Sequence, residues 1–201
     1  MIPLILGLVL FFAVHIVPTN PALRRSFTDR FGEGTYKAAF SIVSAIGLVL
    51  IVLGYHKLQV MPGKNPVLYD PPLWMRHVTL ALMLPAMILL VAAYVPSNIR
   101  DKVRHPMLAA VKIWAFSHLL ANGDLASLVL FGSFLAYAVF DRISLKRRSE
   151  GGRGPLGTRT GGLSGDLIAV VVGTALYVVL LGGLHGRLFG AEPIPGWTLL
   201  G

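Results

Sequence analysis

Six separate apolar runs set the limits on what this chain can be. They span Ile2 to Val17, Lys37 to Tyr55, Trp74 to Val95, Pro106 to Ala121, Leu125 to Phe140 and Leu167 to Leu184. Runs of this length and purity, recurring along one chain, are read as membrane helices, because a spanning segment must satisfy its backbone hydrogen bonds internally. The first run rises only about 24 Å as a helix, which is barely a span. Charge is too scarce for a soluble surface: 55% of the 201 residues are hydrophobic and 13% charged, with a mean hydropathy of +0.70. The expected fold class is all-α: a polytopic membrane helix bundle of about six transmembrane helices, forming one domain over residues 1–201 and seated in the lipid bilayer.

The net charge of +9 would suggest nucleic acid in a soluble protein. Here Lys and Arg cluster in the loops between apolar runs, and no soluble basic domain remains to bind nucleic acid, so that class is excluded. Thirteen Lys and Arg fall in the loops after runs one, three and five, against four on the opposite side, with Lys112 inside a run. This asymmetry predicts cytoplasmic basic loops and both termini outside the cytoplasm. The longest polar stretch, Asp141 to Asp166, carries six basic residues and many glycines and is expected to be a mobile basic loop. Asn-Gly-Asp at Asn122 to Asp124 reads as the tight turn of a helical hairpin, with an Asx-type bond as its simplest role.

The absence of cysteine removes disulfides, thiolate metal sites and thiol nucleophiles. Six histidines remain, and ionisable groups at membrane depth are functional candidates. The orientation above places His56, His77, His118 and His185 toward the outer side, and His15 and His105 toward the inner side. Haem suits this inventory, since its iron takes imidazole and its macrocycle fits an apolar slot between helices. A zinc site would want three close ligands, and no such spacing occurs. On the fourth helix His105 and Lys112 share a face, while His118 lies about 220° from His105 and shares its stripe with Trp114 and Val111. Lys112 could snorkel to the interface or pair with a carboxylate such as a haem propionate. Trp114 and Lys112 are thus candidate cofactor contacts.

The run HPMLAAVKIWAFSHLLANGDLASLVLFGSFLAYAVFDR and the opening FFAVHIVPTNPALRRSF resemble the NnrU family of bacterial membrane proteins. That family is similar to plant zeta-carotene isomerase, an integral membrane haem b protein that isomerises a cis double bond. The resemblance implies a bacterial inner membrane location and an association with denitrification and nitric oxide metabolism. It also implies that His15 and His118 hold the haem iron. A cysteine three residues before the second histidine of the isomerase is replaced here by Ala115. Depth alone points to another partner, because His118 lies about 18 Å from the inner end; His77 is the alternative to His15. Two further readings stand beside the haem protein. One is a non-enzymatic factor assembling a respiratory nitrogen-oxide reductase. The other is an S-adenosylmethionine-dependent membrane methyltransferase, suggested by Arg-His-Pro at a helix start, though its motif does not continue through Met107, Leu108 and Ala109.

Overall fold

The computed structural model describes residues 1–147, 161–194 and 196. The chain is all-α: α1 (Ile2–Ile16), α2 (Pro21–Phe31), α3 (Glu33–Val60), α4 (Leu73–Ala92), α5 (Asn98–Val103), α6 (Pro106–Ala121), α7 (Leu125–Arg147), α8 (Leu163–Val179) and α9 (His185–Phe189), with a π-helical turn at Leu180–Leu184 between the last two. Among the described residues five segments are long and apolar enough to cross a membrane, namely Ile2–Thr19, Glu33–Val60, Leu73–Ala92, Leu125–Arg147 and Leu163–Phe189, and Pro106–Ala121 is a shorter apolar helix. Large apolar side chains on these helices face outward, such as Ile42 and Leu53 on α3 and Val171 on α8. Lipid is the environment in which such a surface is favourable. The protein is a multi-pass membrane protein.

Two compact units emerge, one of Met1–Asn65 with Leu188–Gly190 and the other of Pro66–Arg187 with Ala191–Gly201. In the first, α1 and α3 pack antiparallel. A Cβ on Gly7 would come within 2.7 Å of the Gly47 carbonyl oxygen and the Ile51 nitrogen, and one on Gly54 within 2.5 Å of the Leu4 nitrogen. The two backbones therefore touch through glycine, the usual way apolar helices gain contact where lipid removes the hydrophobic drive between them. Glu33 and Lys37 open α3, and its 28 residues make it about 42 Å long, more than the hydrocarbon core needs.

In the second unit α4 packs against both α6 and α8. The Thr79 hydroxyl donates to the Ser117 carbonyl at 2.7 Å and the Tyr177 hydroxyl to the Leu80 carbonyl at 3.0 Å, and Gly173 lets α8 approach Ile88. Pro85 lies inside α4, which remains one helix.

The basic stretch departs from its expectation at both ends. Asp141–Arg147 continues α7, because its residues form helix well in water and nothing forces the helix to stop at the membrane boundary. At the far end Gly161 donates to Asp101 Oδ2 at 3.0 Å, and Asp166 accepts from Asn98 Nδ2 at 2.8 Å and from the Ile99 amide at 2.9 Å. That carboxylate, together with Ser97, whose Oγ accepts from the Arg100 amide at 3.2 Å, caps α5, a short helix in the loop after the third apolar run. Residues 148–160, and the tail with Trp197, lie outside the described residues.

Candidate functional site

The second unit gathers its chemistry around His118, in the last turn of α6. The His118 Nδ1 lies 2.8 Å from the Trp114 carbonyl oxygen one turn back. A carbonyl only accepts, so Nδ1 carries the proton and Nε2 is the nitrogen left to ligate. The imidazole stacks on Phe131 at 4.4 Å between ring centroids, and Trp114 packs edge-on against Phe131 at 5.0 Å and Phe134 at 5.4 Å. Both phenylalanines come from α7, so the hairpin supplies the walls and α6 supplies the imidazole. Trp114 itself stands 5.5 Å from the His118 ring. The stripe read from the sequence, Trp114 with His118, is thus present.

His185 completes the cluster. Its ring lies 6.1 Å from that of His118, with an interplanar angle of 16°. Its Nδ1 is 2.6 Å from the Ala191 carbonyl oxygen, the same arrangement that orients His118. Sequence reasoning had not joined these two, although its depth grouping put both toward one end of the protein. The π-helical turn before His185, with Gly183 at φ 117°, has no clear sequence signal beyond the Gly182-Gly183 pair.

The Asn-Gly-Asp turn is built into the scaffold beside this cluster. Asn122 Nδ2 donates to the His118 carbonyl at 2.8 Å. Asp124 begins α7 by accepting the Ser127 amide at 2.9 Å and the Ser127 hydroxyl at 2.6 Å. Gly123 receives the Leu68 and Tyr69 amides on its carbonyl, at 2.8 and 3.3 Å, and the Leu125 amide donates to Pro66 at 2.9 Å. A Cβ at Gly123 would overlap the Tyr69 carbonyl. The Tyr69 hydroxyl donates to the Leu119 and Asn122 carbonyls, which satisfies acceptors left open at the C-terminal end of α6.

The remaining candidates sit elsewhere. His15 closes α1 in the first unit, with Nδ1 2.7 Å from the Phe11 carbonyl oxygen and its ring 4.0 Å from Phe11 and 4.8 Å from Phe40. His77 is exposed on α4. Lys112 is half-buried on α6, and its charge bears on His105, as the shared face requires. Burial first, and then the Arg142 charge, lower the His105 pKa from its usual 6.5. His15 and His118 belong to different units.

Among the described residues no three His, Asp or Glu side chains converge on a metal position. A haem iron asks less of the protein, since the macrocycle fills its equatorial positions and one or two imidazoles complete it. The donor chemistry fits that group: imidazoles with Nδ1 held by main-chain carbonyls, set among aromatic rings. No curated protein and no solved structure matches the chain. A family model described as NnrU protein matches residues 3–193. The match runs through both units and includes every histidine discussed above, and the chain belongs to the NnrU family.

Proposed function

We propose that this protein is an integral membrane haem b protein of the bacterial inner membrane, with His118 as an iron ligand. Haem b at this position would supply redox chemistry toward nitrogen oxides, as in denitrification and nitric oxide metabolism, or would assist cis–trans isomerisation of a lipid-soluble polyene. The observation that carries the reading is the His118 setting: an imidazole fixed by the Trp114 carbonyl and stacked on Phe131, with Phe134 packed against Trp114 beside it. His185 is the second imidazole that the fold brings to it, and His15 is the one that the family resemblance assigns. Trp114 holds the ring in place through its own carbonyl and presents an apolar face to a macrocycle. Lys112, the cation weighed for a propionate, sits six residues from His118 on the face of α6 it shares with His105, so it would reach a propionate only from the far side of the helix.

The test is the absorption spectrum of the protein purified from haem-sufficient cells. A low-spin, six-coordinate haem band supports the reading, as two imidazoles would give. A colourless preparation that added haemin leaves unchanged overturns it. A denitrification phenotype that survives His118→Ala would instead favour the role of an assembly factor for a respiratory nitrogen-oxide reductase.

A further inference from the structure

The first unit holds a cleft of about 300 Å³ lined by Pro18, Arg24, Tyr36, Lys37, Phe40 and Ser41. Its place in the fold follows from the α1–α3 register. Leu4 meets Gly54, Gly7 meets Gly47 and Ile51, and Phe11 meets Gly47, so partners move down α3 as they move up α1. Carried on, the register brings Pro18, in the turn just past α1, to Lys37, one turn into α3. From Ala38 to Tyr55 the α3 sequence holds no charged residue. The cleft therefore lies where hydrocarbon gives way to headgroups.

Its walls have two characters. Pro18 and Phe40 are apolar. Arg24 and Lys37 are cations that share one carboxylate, Glu33, at 2.7 and 3.2 Å, so one positive charge remains uncompensated. The Arg24 guanidinium stands 5.9 Å from the centre of the Tyr36 ring and beside its buried hydroxyl, and a guanidinium can only donate, so the hydroxyl proton has no acceptor there. A buried hydroxyl left unsatisfied is costly, and an anion's oxygen in the cleft would satisfy it.

The connecting helix α2 adds an independent observation. Leu23, Phe27 and Phe31 are exposed at 41%, 39% and 51% and recur every fourth residue, which puts them on one face. Arg24, Arg25 and Arg30 lie on the same short helix. An apolar stripe with flanking arginines is the pattern of a helix lying in the plane of an anionic membrane surface.

We propose that this cleft binds the phosphate headgroup of an anionic phospholipid, held by Arg24, Lys37 and the Tyr36 hydroxyl, with α2 lying beside it in the interface. The cleft neighbours His15, one candidate iron ligand, through Phe40, and the test separates lipid binding from haem. The test is native mass spectrometry of the full-length protein in micelles containing phosphatidylglycerol or phosphatidylcholine. Retention of one phosphatidylglycerol in preference to phosphatidylcholine is expected. Arg24→Gln with Lys37→Gln should weaken that retention about tenfold or more, while Lys57→Gln, at the other end of α3, should leave it unchanged. Glu33→Gln frees both cations from their shared carboxylate and should tighten retention, a change that misfolding cannot mimic. Equal retention of the two lipids, or no response to the paired substitution, overturns the proposal. So does full competition by inorganic phosphate alone, which would make this a soluble-anion site. Loss of a haem band in the paired variant with lipid retention intact would also overturn it, assigning the cleft to a propionate.

Discussion

The imidazoles of His118 and His185 lie nearly parallel, their ring centres 6.1 Å apart, one at the end of α6 and the other just past the π-helical turn. Each has its Nδ1 against a main-chain carbonyl. The pair is therefore oriented by backbone rather than by other side chains, and substitutions around it should not re-aim it easily.

His118→Ala should remove most bound haem, measured as the haem-to-protein absorbance ratio of purified protein. His185→Ala and His15→Ala then identify the second ligand. Loss of the low-spin band in the first with retention in the second assigns the pair seen in the fold, and the reverse assigns the pair implied by the isomerase resemblance. Haem content unaffected by all three would remove these three histidines as ligands and leave His77, the alternative to His15, to be tested in the same way.

Asp124 acts as a helix cap, so its charge should be dispensable. Asp124→Asn keeps an acceptor for the Ser127 amide and should behave close to wild type, whereas Asp124→Ala should cost about 1 kcal/mol of stability. Gly123→Ala should be worse, at about 3 kcal/mol, because the new Cβ meets the Tyr69 carbonyl. Thermal unfolding in detergent orders the three. A haem or activity defect in Asp124→Asn without loss of stability would assign the carboxylate a proton role instead.

His105 should make stability fall in mild acid. Its pKa in the folded protein is below the ordinary 6.5, from burial and from the Arg142, Arg104 and Lys112 charges, with Asp141 opposing them. The folded state then binds fewer protons than the unfolded state, so stability is full above about pH 6.5 and declines as pH drops below it. Unfolding midpoints between about pH 8 and pH 5 should show that decline, and His105→Gln should flatten it. An unchanged slope in the variant would place the effect elsewhere.

The α1–α3 contact should tolerate nothing larger than glycine at Gly54. Gly54→Ala should cost about 1–3 kcal/mol, since the Cβ faces the Leu4 backbone rather than a movable side chain. Gly132→Ala on α7 is the opposite case: nothing lies within 4 Å of its added Cβ, and alanine should gain up to about 1 kcal/mol in helix propensity. Denaturation midpoints of the two variants should move in opposite directions.

The spanning helices were legible because apolar runs between Pro, Gly and charged residues have few other solutions. Their ends were less so. Lys and Arg beyond the bilayer do not stop a helix, so α7 outran its apolar run, and α5 depended on Asp166, a cap far away in sequence that local reading cannot supply. At the candidate site, helical spacing alone linked Trp114 to His118. Phe131 and Phe134 required knowing which face α7 turns to α6, and His185 was indicated only by the side of the membrane it shared with His118.

The π-helical turn at Leu180–Leu184 also acts as a phase adjuster. There the His185 amide reaches back five residues to the Leu180 carbonyl, one residue more than an α-helix allows. Each residue is about 100° of helical rotation. Gly183, at φ 117°, makes this turn a kink rather than a continuous helix, and a chain one residue shorter here would swing the His185 imidazole to a different side. The direction of that imidazole is thus encoded in a count of residues, and a single deletion would reset it without altering any side chain of the cluster.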